Sequence, residues 1–456
     1  MTGPRGPRGP WGPWGMTADR RGAERRIGWA RLWARAKQIV TTDPTGSDDD
    51  DHVVDEEAAR VFATNAGRLK GGLAKVAQLA AYDPGATLGG RSGATAQARA
   101  VLAALWDRAP GISGGAIERV IEADLGRAPA ALFATWDPSP LAAASLGQVH
   151  AATLHDGTAV VVKVQYPGVA EALQADLDDA TFVRKLAGAE LGRTLDSGAI
   201  ATLSAAVRGE LDYRAEAQSL ARFAAAWGHA KALRFPRVID ELSSARVLTM
   251  TRARGKTVLE TAASGSADLR RQAALAIFAF AWGSPLAHGL VNADPNPGNF
   301  LVDEQADGGA VVWCLDFGCA VALPDALRDA DRELWWALLD GDAASAAERF
   351  RMGLGRAGLL RRTDLLASTA HRDWERALAA PVGGHGDFHW TSAYATQLAE
   401  ATARTLSTGG LTIPAHLILL WRQRLGAASV IALLDAKAPF RRALVELIGN
   451  GRRALR

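Results

Sequence analysis

Two short motifs in the second half of the chain limit what it can fold into more than any other feature. Asp294-Pro295-Asn296-Pro297-Gly298-Asn299 is followed by the apolar run Val311-Val312-Trp313-Cys314-Leu315, and that run leads directly into Asp316-Phe317-Gly318. An Asp with an Asn five positions on, then a short buried strand ending in Asp-Phe-Gly, is an arrangement that builds a phosphoryl-transfer site. In that arrangement Asp294 is expected to handle the acceptor, and Asn299 and Asp316 to hold Mg²⁺. Either motif alone is weak. Their order and separation carry the expectation.

This pattern resembles the C-lobe of protein-kinase-like folds, and the preceding half of the chain supplies what an N-lobe needs. Ala159-Val160-Val161-Val162-Lys163-Val164 is an apolar strand interrupted by one lysine. Its run of β-branched residues predicts burial on both faces, and a charge within it then needs a partner. In a kinase fold the partners are nucleotide phosphates and a helix glutamate. Glu216 lies in the helical stretch Glu210-Leu211-Asp212-Tyr213-Arg214-Ala215-Glu216 and is the expected ion-pair partner, with Glu210 as its competitor. Upstream of Lys163, where a glycine-rich phosphate loop is expected, the chain reads Ala142-Ala143-Ala144-Ser145-Leu146-Gly147-Gln148-Val149-His150. Methyl groups in place of glycine hydrogens restrict φ and ψ and keep the backbone from closing as tightly on phosphates.

With these motifs in place, the chain is similar to the UbiB, or aarF-domain, family of atypical kinases, which includes the coenzyme Q biosynthesis kinases. The match runs from about residue 57 to the C-terminus. A further family signature, Lys-x-Gly-Gln, has its counterpart in Lys75-Val76-Ala77-Gln78, with Ala77 replacing the glycine. The resemblance implies an α+β fold: a bilobal protein-kinase-like body with an N-terminal helical extension packed over the active site. That extension would block protein substrates and direct Lys75 toward the nucleotide, with Gln78, Glu210 and Asp212 as extension or regulatory residues. Asp294, Lys163 and Lys75 are then the catalytic candidates. Ala142, Ala143, Ala144, Ser145, Gln148, Lys163, Glu216 and Met250 line the nucleotide, which is ATP or ADP with Mg²⁺ or Mn²⁺. The chain departs from the family at Asn292 and Asn296, where His is frequent, and at Thr251, where the hinge commonly has Glu.

The expected organisation is a low-complexity N-terminus, basic helix and acidic linker (1–56), the helical extension (57–130), an N-lobe (131–252) and a helical C-lobe (253–456). At 456 residues the chain holds one bilobal unit with a sizeable core. A net charge of +3 is too small to argue for a nucleic-acid partner. The only two cysteines, Cys314 and Cys319, flank Asp-Phe-Gly and suggest neither zinc nor disulfides. The first sixteen residues lack the apolar segment of a signal peptide. Over residues 19–40, Trp29, Leu32, Trp33, Ala36 and Val40 recur at helical spacing beside an arginine-rich face, the pattern either of a membrane-surface helix or of a helix docked on the body.

Ala273 to Val291 is uncharged and long enough to suggest a membrane span, but Gly283-Ser284-Pro285 breaks it. Its run into the catalytic loop predicts a central core helix. Ile413 to Leu434 is similarly apolar, interrupted by Arg422 and Arg424. Gly341, Gly353, Gly355 and Gly358 are expected helix breaks, and Pro381 to His389 an open loop. The protein is expected to be cytoplasmic or peripheral at the membrane. Its expected activity is that of an atypical kinase or ATPase serving isoprenoid-quinone or other lipid metabolism, with a lipid or quinone-precursor ligand. The alternatives are a nucleotide-gated lipid-binding protein and, less favoured, a protein kinase.

Overall fold

The computed structural model describes residues 114–144, 146–171, 174, 197–340, 343–359, 369–407 and 414–453. Lys75, Gln78, the rest of the expected extension up to residue 113, the basic stretch 19–40 and Ser145 lie outside the described residues.

Helix α1 (Gly114–Leu125) turns Ile117, Val120 and Ile121 inward, and a short helix α2 (Pro129–Leu132) follows it. Strands β1 (Thr135–Ala144), β2 (Gly147–Thr153) and β3 (Ala159–Gln165) form an antiparallel meander. The apolar side of α1 packs with Val160, Val162 and Val164 of β3 in a separate small core. Pro138 and Pro140 sit in β1, which is the edge strand of its sheet, where a missing N–H costs no ladder bond. The β1–β2 register slips on both sides of Pro140. The alanine run expected as a loop is instead the last part of β1: Ala142, Ala143 and Ala144 pair with Val149, Gln148 and Gly147. Gly147 is needed there, because a Cβ would run into the Val164 carbonyl across the ladder.

Helix α3 (Ser197–Gly209) leads to α4 (Tyr213–Trp227), and after the two-residue β4 (Leu233–Arg234) the strand β5 (Val247–Thr251) completes the first sheet beside β3. Thr251, expected at the hinge, is the last residue of β5, and its Oγ1 accepts a bond from the Arg237 N–H at 2.8 Å. A second sheet has the order β4-β9-β8-β6, with β6 Lys256–Thr257, β8 Phe300–Glu304 and β9 Ala310–Cys314. Between β6 and β8 run α5 (Val258–Ser264), opened by a Thr257–Glu260 capping box, and α6 (Ala267–Phe278). A π turn at Ala279–Gly283 then leads through α7 (Ser284–His288) to β7 (Leu290–Asn292). Ile277, Phe278 and Leu286 are fully buried, so the apolar stretch is a core helix; Gly-Ser-Pro does not break it, because the π turn ends at Gly283 and Ser284 and Pro285 continue as the first turn of α7. Gly289 ends it at φ 65°.

β7 pairs with β10 (Ala320–Ala322), and the described residues beyond it are mostly helical. These are α8 (Asp325–Ala337), α9 (Ala343–Arg356), α10 (Thr369–Gly383), α11 (Ser392–Ser407), α12 (Ile418–Leu433) and α13 (Phe440–Arg453). Gly353 and Gly355 do not break a helix as expected; both lie inside α9. At Gly353 an added Cβ would come within 2.9 Å of Leu334, so the glycine serves helix packing. Nor is Pro381 to His389 all loop. Pro381 lies in the last turn of α10, while β11 (Phe388–Trp390) pairs with β12 (Ala436–Ala438). Within the described residues, no helix is long and apolar enough to cross a membrane.

Candidate active site

Lys163 projects from β3 into the cleft between the meander and the helical body, and it is buried. Its Nζ donates to Oε1 and Oε2 of Glu216 at 2.8 and 2.9 Å, and to Oδ2 of Asp316 at 2.9 Å. Glu216 reaches it because Asp212 starts α4 one turn earlier: the exposed Asp212 carboxylate caps the helix by accepting from the Arg214 N–H at 3.0 Å. The pair expected between Lys163 and Glu216 is therefore present, and Asp316 joins it. Burial alone would pull the lysine toward neutrality, but the carboxylates of Asp316 and Glu216 outweigh that and hold its pKa well above the ordinary value. Burial, then the neighbouring Asp316, pushes Glu216 up to about 7, against the pull of Lys163.

Glu210 is also buried, and its Cγ is close to Gly318, where the Asp316 and Glu216 carboxylates also converge. Glu210 Cγ and the carboxylates of Asp316 and Glu216 thus all lie around Gly318. Tyr213, on the first turn of α4, stands beside the ammonium group. Its ring centroid lies 5.1 Å from Lys163 Nζ, and burial drives its phenol far above the ordinary range.

Asp316 is held by the backbone around it. Gly318 N–H donates to its Oδ1 at 3.0 Å, and Phe317 anchors the turn by packing on Phe223 of α4, with ring centroids 4.9 Å apart. The same helix that carries Glu216 therefore also seats the Asp-Phe-Gly turn. Strand pairing brings the second motif alongside: Asn292 opposes Ala320, and Phe300 opposes Cys314. Asn292, noted for replacing His, donates through Nδ2 to the Asp316 carbonyl at 2.7 Å. In the loop, Asn299 Nδ2 donates to the Asp294 carbonyl at 2.8 Å, and Asn296 Oδ1 accepts from the Gly298 N–H at 2.9 Å. Asp294 Oδ1 accepts from Arg422 Nη2 at 3.1 Å.

The expected nucleotide-side residues are distributed differently. Ala142 is exposed at the end of the hairpin, and Ala144 is half-buried. Gln148 lies fully buried under the hairpin, with its Nε2 2.9 Å from His150 Nε2. His150 Nδ1 faces the Asp137 carbonyl at 2.9 Å, so Nδ1 carries the hydrogen and Nε2 accepts from Gln148. Burial keeps that imidazole neutral by lowering its pKa. Met250 sits in β5 opposite Val161 and belongs to the large apolar core. Tyr213, Arg422 and Gln423 are contacts that motif reading missed. The available signal was the pair of arginines interrupting an otherwise apolar C-terminal run.

A family model, the ABC1 atypical kinase-like domain, matches residues 104–350, more than half of the chain. An uncharacterized protein of Mycobacterium tuberculosis is 32% identical over 339 residues, covering 72% of this chain and 66% of its own length. The mitochondrial atypical kinase COQ8B of Rattus norvegicus is 34% identical over 224 residues, covering 49% of this chain and 42% of its own length. The chain thus spans less than two thirds of these relatives. Among solved structures, the Rv3197–erythromycin complex from Mycobacterium tuberculosis is 26% identical with a TM-score of 0.58, covering 88% of this chain and 98% of that one. Lys163, Glu216 and Asp316 are clustered in a kinase-like cleft, and the family model spans that cleft; this chain belongs to the ABC1 family of atypical kinases, also called the UbiB family.

Proposed function

We propose that the protein is a Mg-ATP-dependent atypical kinase or ATPase that serves isoprenoid-quinone or other lipid metabolism. The observation that carries this reading is the Lys163 ammonium bridging Glu216 and Asp316 at 2.8 and 2.9 Å. A lysine held charged in a buried cleft is equipped to bind the β- and γ-phosphates of a nucleotide. Asn299 and Asp316 offer the hard oxygen donors that suit Mg²⁺, and both side chains remain partly accessible. Among the described residues there is no cluster of three or more His, Cys, Asp or Glu that could cage a metal. Two protein donors fit an ion that takes its remaining ligands from phosphate and water. When bound, that ion supplies charge neutralisation at the phosphates.

In this reading Asp294 takes the proton of an attacking hydroxyl or orients a water, and Asn299 holds the loop closed by bonding the Asp294 carbonyl. Ala142 to Ala144 cover the nucleotide, Met250 contributes to the adenine side, and Lys75 and Gln78 of the extension close the site. The lipid role follows from the family kinship with coenzyme Q kinases. The basic stretch 19–40 is the proposed peripheral membrane contact.

The test is ATP turnover by the purified chain with and without Mg²⁺, and with and without anionic liposomes containing a quinone-like phenol. Asp316→Asn serves as the blank. Mg-dependent turnover that rises with liposomes and vanishes in the variant is the expected result. Unchanged turnover in the variant overturns the site. Mg-dependent nucleotide binding without turnover replaces this reading with a nucleotide-gated lipid-binding protein.

A further inference from the structure

The loop from Asp294 to Asn299 contains no basic side chain. Its acceptor-side carboxylate nevertheless meets a cation, delivered from 128 residues further along: Arg422 of α12, at 3.1 Å. Both side chains are shielded, with 21% and 12% of their surfaces exposed. Two further contacts seat α12 on this loop. Gln423, buried, accepts from the Asn292 N–H and donates to the Ala281 carbonyl, each at 2.5 Å. One turn beyond Arg422, Gly426 lies against Pro295 so closely that a Cβ would overlap the proline ring. Arg422 is therefore aimed at Asp294 by a helix that is itself fixed to the residues on either side of it. Its neighbour Arg424 turns the other way, into the core, and pairs there with Asp331.

We propose that Arg422 is a positioning residue of the phosphoryl-transfer site: it fixes the orientation of the Asp294 carboxylate and brings to the acceptor side the positive charge that the loop lacks. The inference rests on the nucleotide reading given above. Arg422 holds the carboxylate through one guanidinium N–H, and a lysine ammonium at this position keeps the charge while losing the planar group that directs that bond. Misplacing a reacting group by about 1 Å costs on the order of a hundredfold in rate. The effect should therefore fall on turnover and spare nucleotide binding.

The experiment compares wild type, Arg422→Gln, Arg422→Lys, Asp294→Asn and the Asp294→Asn/Arg422→Gln double variant in the full chain. Three quantities are measured: kcat and KM for Mg-ATP, Mg-dependent nucleotide affinity, and thermal unfolding. Arg422→Gln is expected to lower kcat roughly 10- to 100-fold while KM and affinity stay within about threefold. Arg422→Lys is expected to regain part of the loss, and the double variant to be no slower than Asp294→Asn alone. A folded Arg422→Gln protein with wild-type kcat overturns the inference, as does one whose affinity falls in step with turnover. Should Arg422→Gln fail to fold, Arg422→Lys decides by the same split between kcat and affinity. Wild-type protein that does not bind Mg-nucleotide defeats the functional reading and this inference together. Wild type that binds without turnover defeats this inference and leaves nucleotide binding standing.

Discussion

Lys163 Nζ lies 2.8 Å from Glu216 Oε1, although the two residues are 53 positions apart, one on a strand and the other on the first turn of a helix. The contact joins the meander to the helix that seats the Asp-Phe-Gly turn, beside the bond from Gln165 of β3 to the Leu211 carbonyl just before that helix. Lys163→Met leaves Glu216 and Asp316 together without their cation. Breaking such a buried pair costs about 3 kcal/mol or more. The expected outcome is a lower urea midpoint together with loss of Mg-dependent nucleotide binding. A variant that binds Mg-ATP as wild type does would remove Lys163 from the site.

The raised Glu216 carboxyl makes a pH prediction. Its folded pKa of about 7 stands above the ordinary value of 4.5, so between those values the folded protein holds the extra proton. The contribution of this group to stability therefore declines as pH climbs through that window. Glutamine mimics the protonated acid and lacks the titration. Glu216→Gln should gain stability relative to wild type between about pH 4.5 and pH 7, measured as the difference in urea midpoints at several pH values. A difference that stays flat across this range contradicts the assignment.

Gly426 makes a steric prediction. The atom that an added methyl would meet belongs to the Pro295 ring, which cannot swing aside as a long side chain can. Overpacking of this kind typically costs about 1–3 kcal/mol. Gly426→Ala should lower the unfolding temperature and displace the loop that carries Asp294, and so reduce turnover more than nucleotide affinity. Wild-type kcat in this variant would show that the loop tolerates the shift.

The buried pair of Arg424 and Asp331 predicts a double-mutant result. Arg424 Nη1 donates to Asp331 Oδ1 at 2.7 Å, Nη2 donates to Oδ2, and the guanidinium lies 4.9 Å from the Trp335 ring centroid. Arg424→Met alone strands a buried carboxylate and should cost about 3–5 kcal/mol. Arg424→Met combined with Asp331→Leu should recover most of that loss, as read from denaturant unfolding. A double variant no better than the single would mean that packing around Trp335, rather than charge compensation, sets the cost.

Much of the site is legible in the sequence because its elements are local. A single lysine in a run of valines demands a counter-charge, and Glu216 is available on the helix that Asp212 opens. Asp294, Asn299 and Asp316 are found through their spacing around a strand. What escapes sequence reading depends on how distant segments pack. Arg422 and Arg424 look alike in the sequence, two charges in an apolar run, yet one faces the catalytic loop and the other the core. Gly353 reads as a helix break because glycine disfavours helix; here the close approach of Leu334 outweighs that preference. The alanine run reads as loop by analogy with glycine, yet alanine allows the backbone to stay extended to the hairpin tip.

Three consecutive residues of α12 serve four different neighbours. Arg422 points to Asp294, Gln423 to Asn292 and Ala281, and Arg424 to Asp331. Successive side chains of a helix are about 100° apart around its axis. Inserting or deleting one residue just upstream of Arg422 would turn the whole trio by that angle and disengage all four partners at once. The spacing from the start of α12 to this trio is therefore far less tolerant of length change than of substitution. Among natural variants, insertions and deletions should gather in the connections flanking α12 and avoid the helix itself.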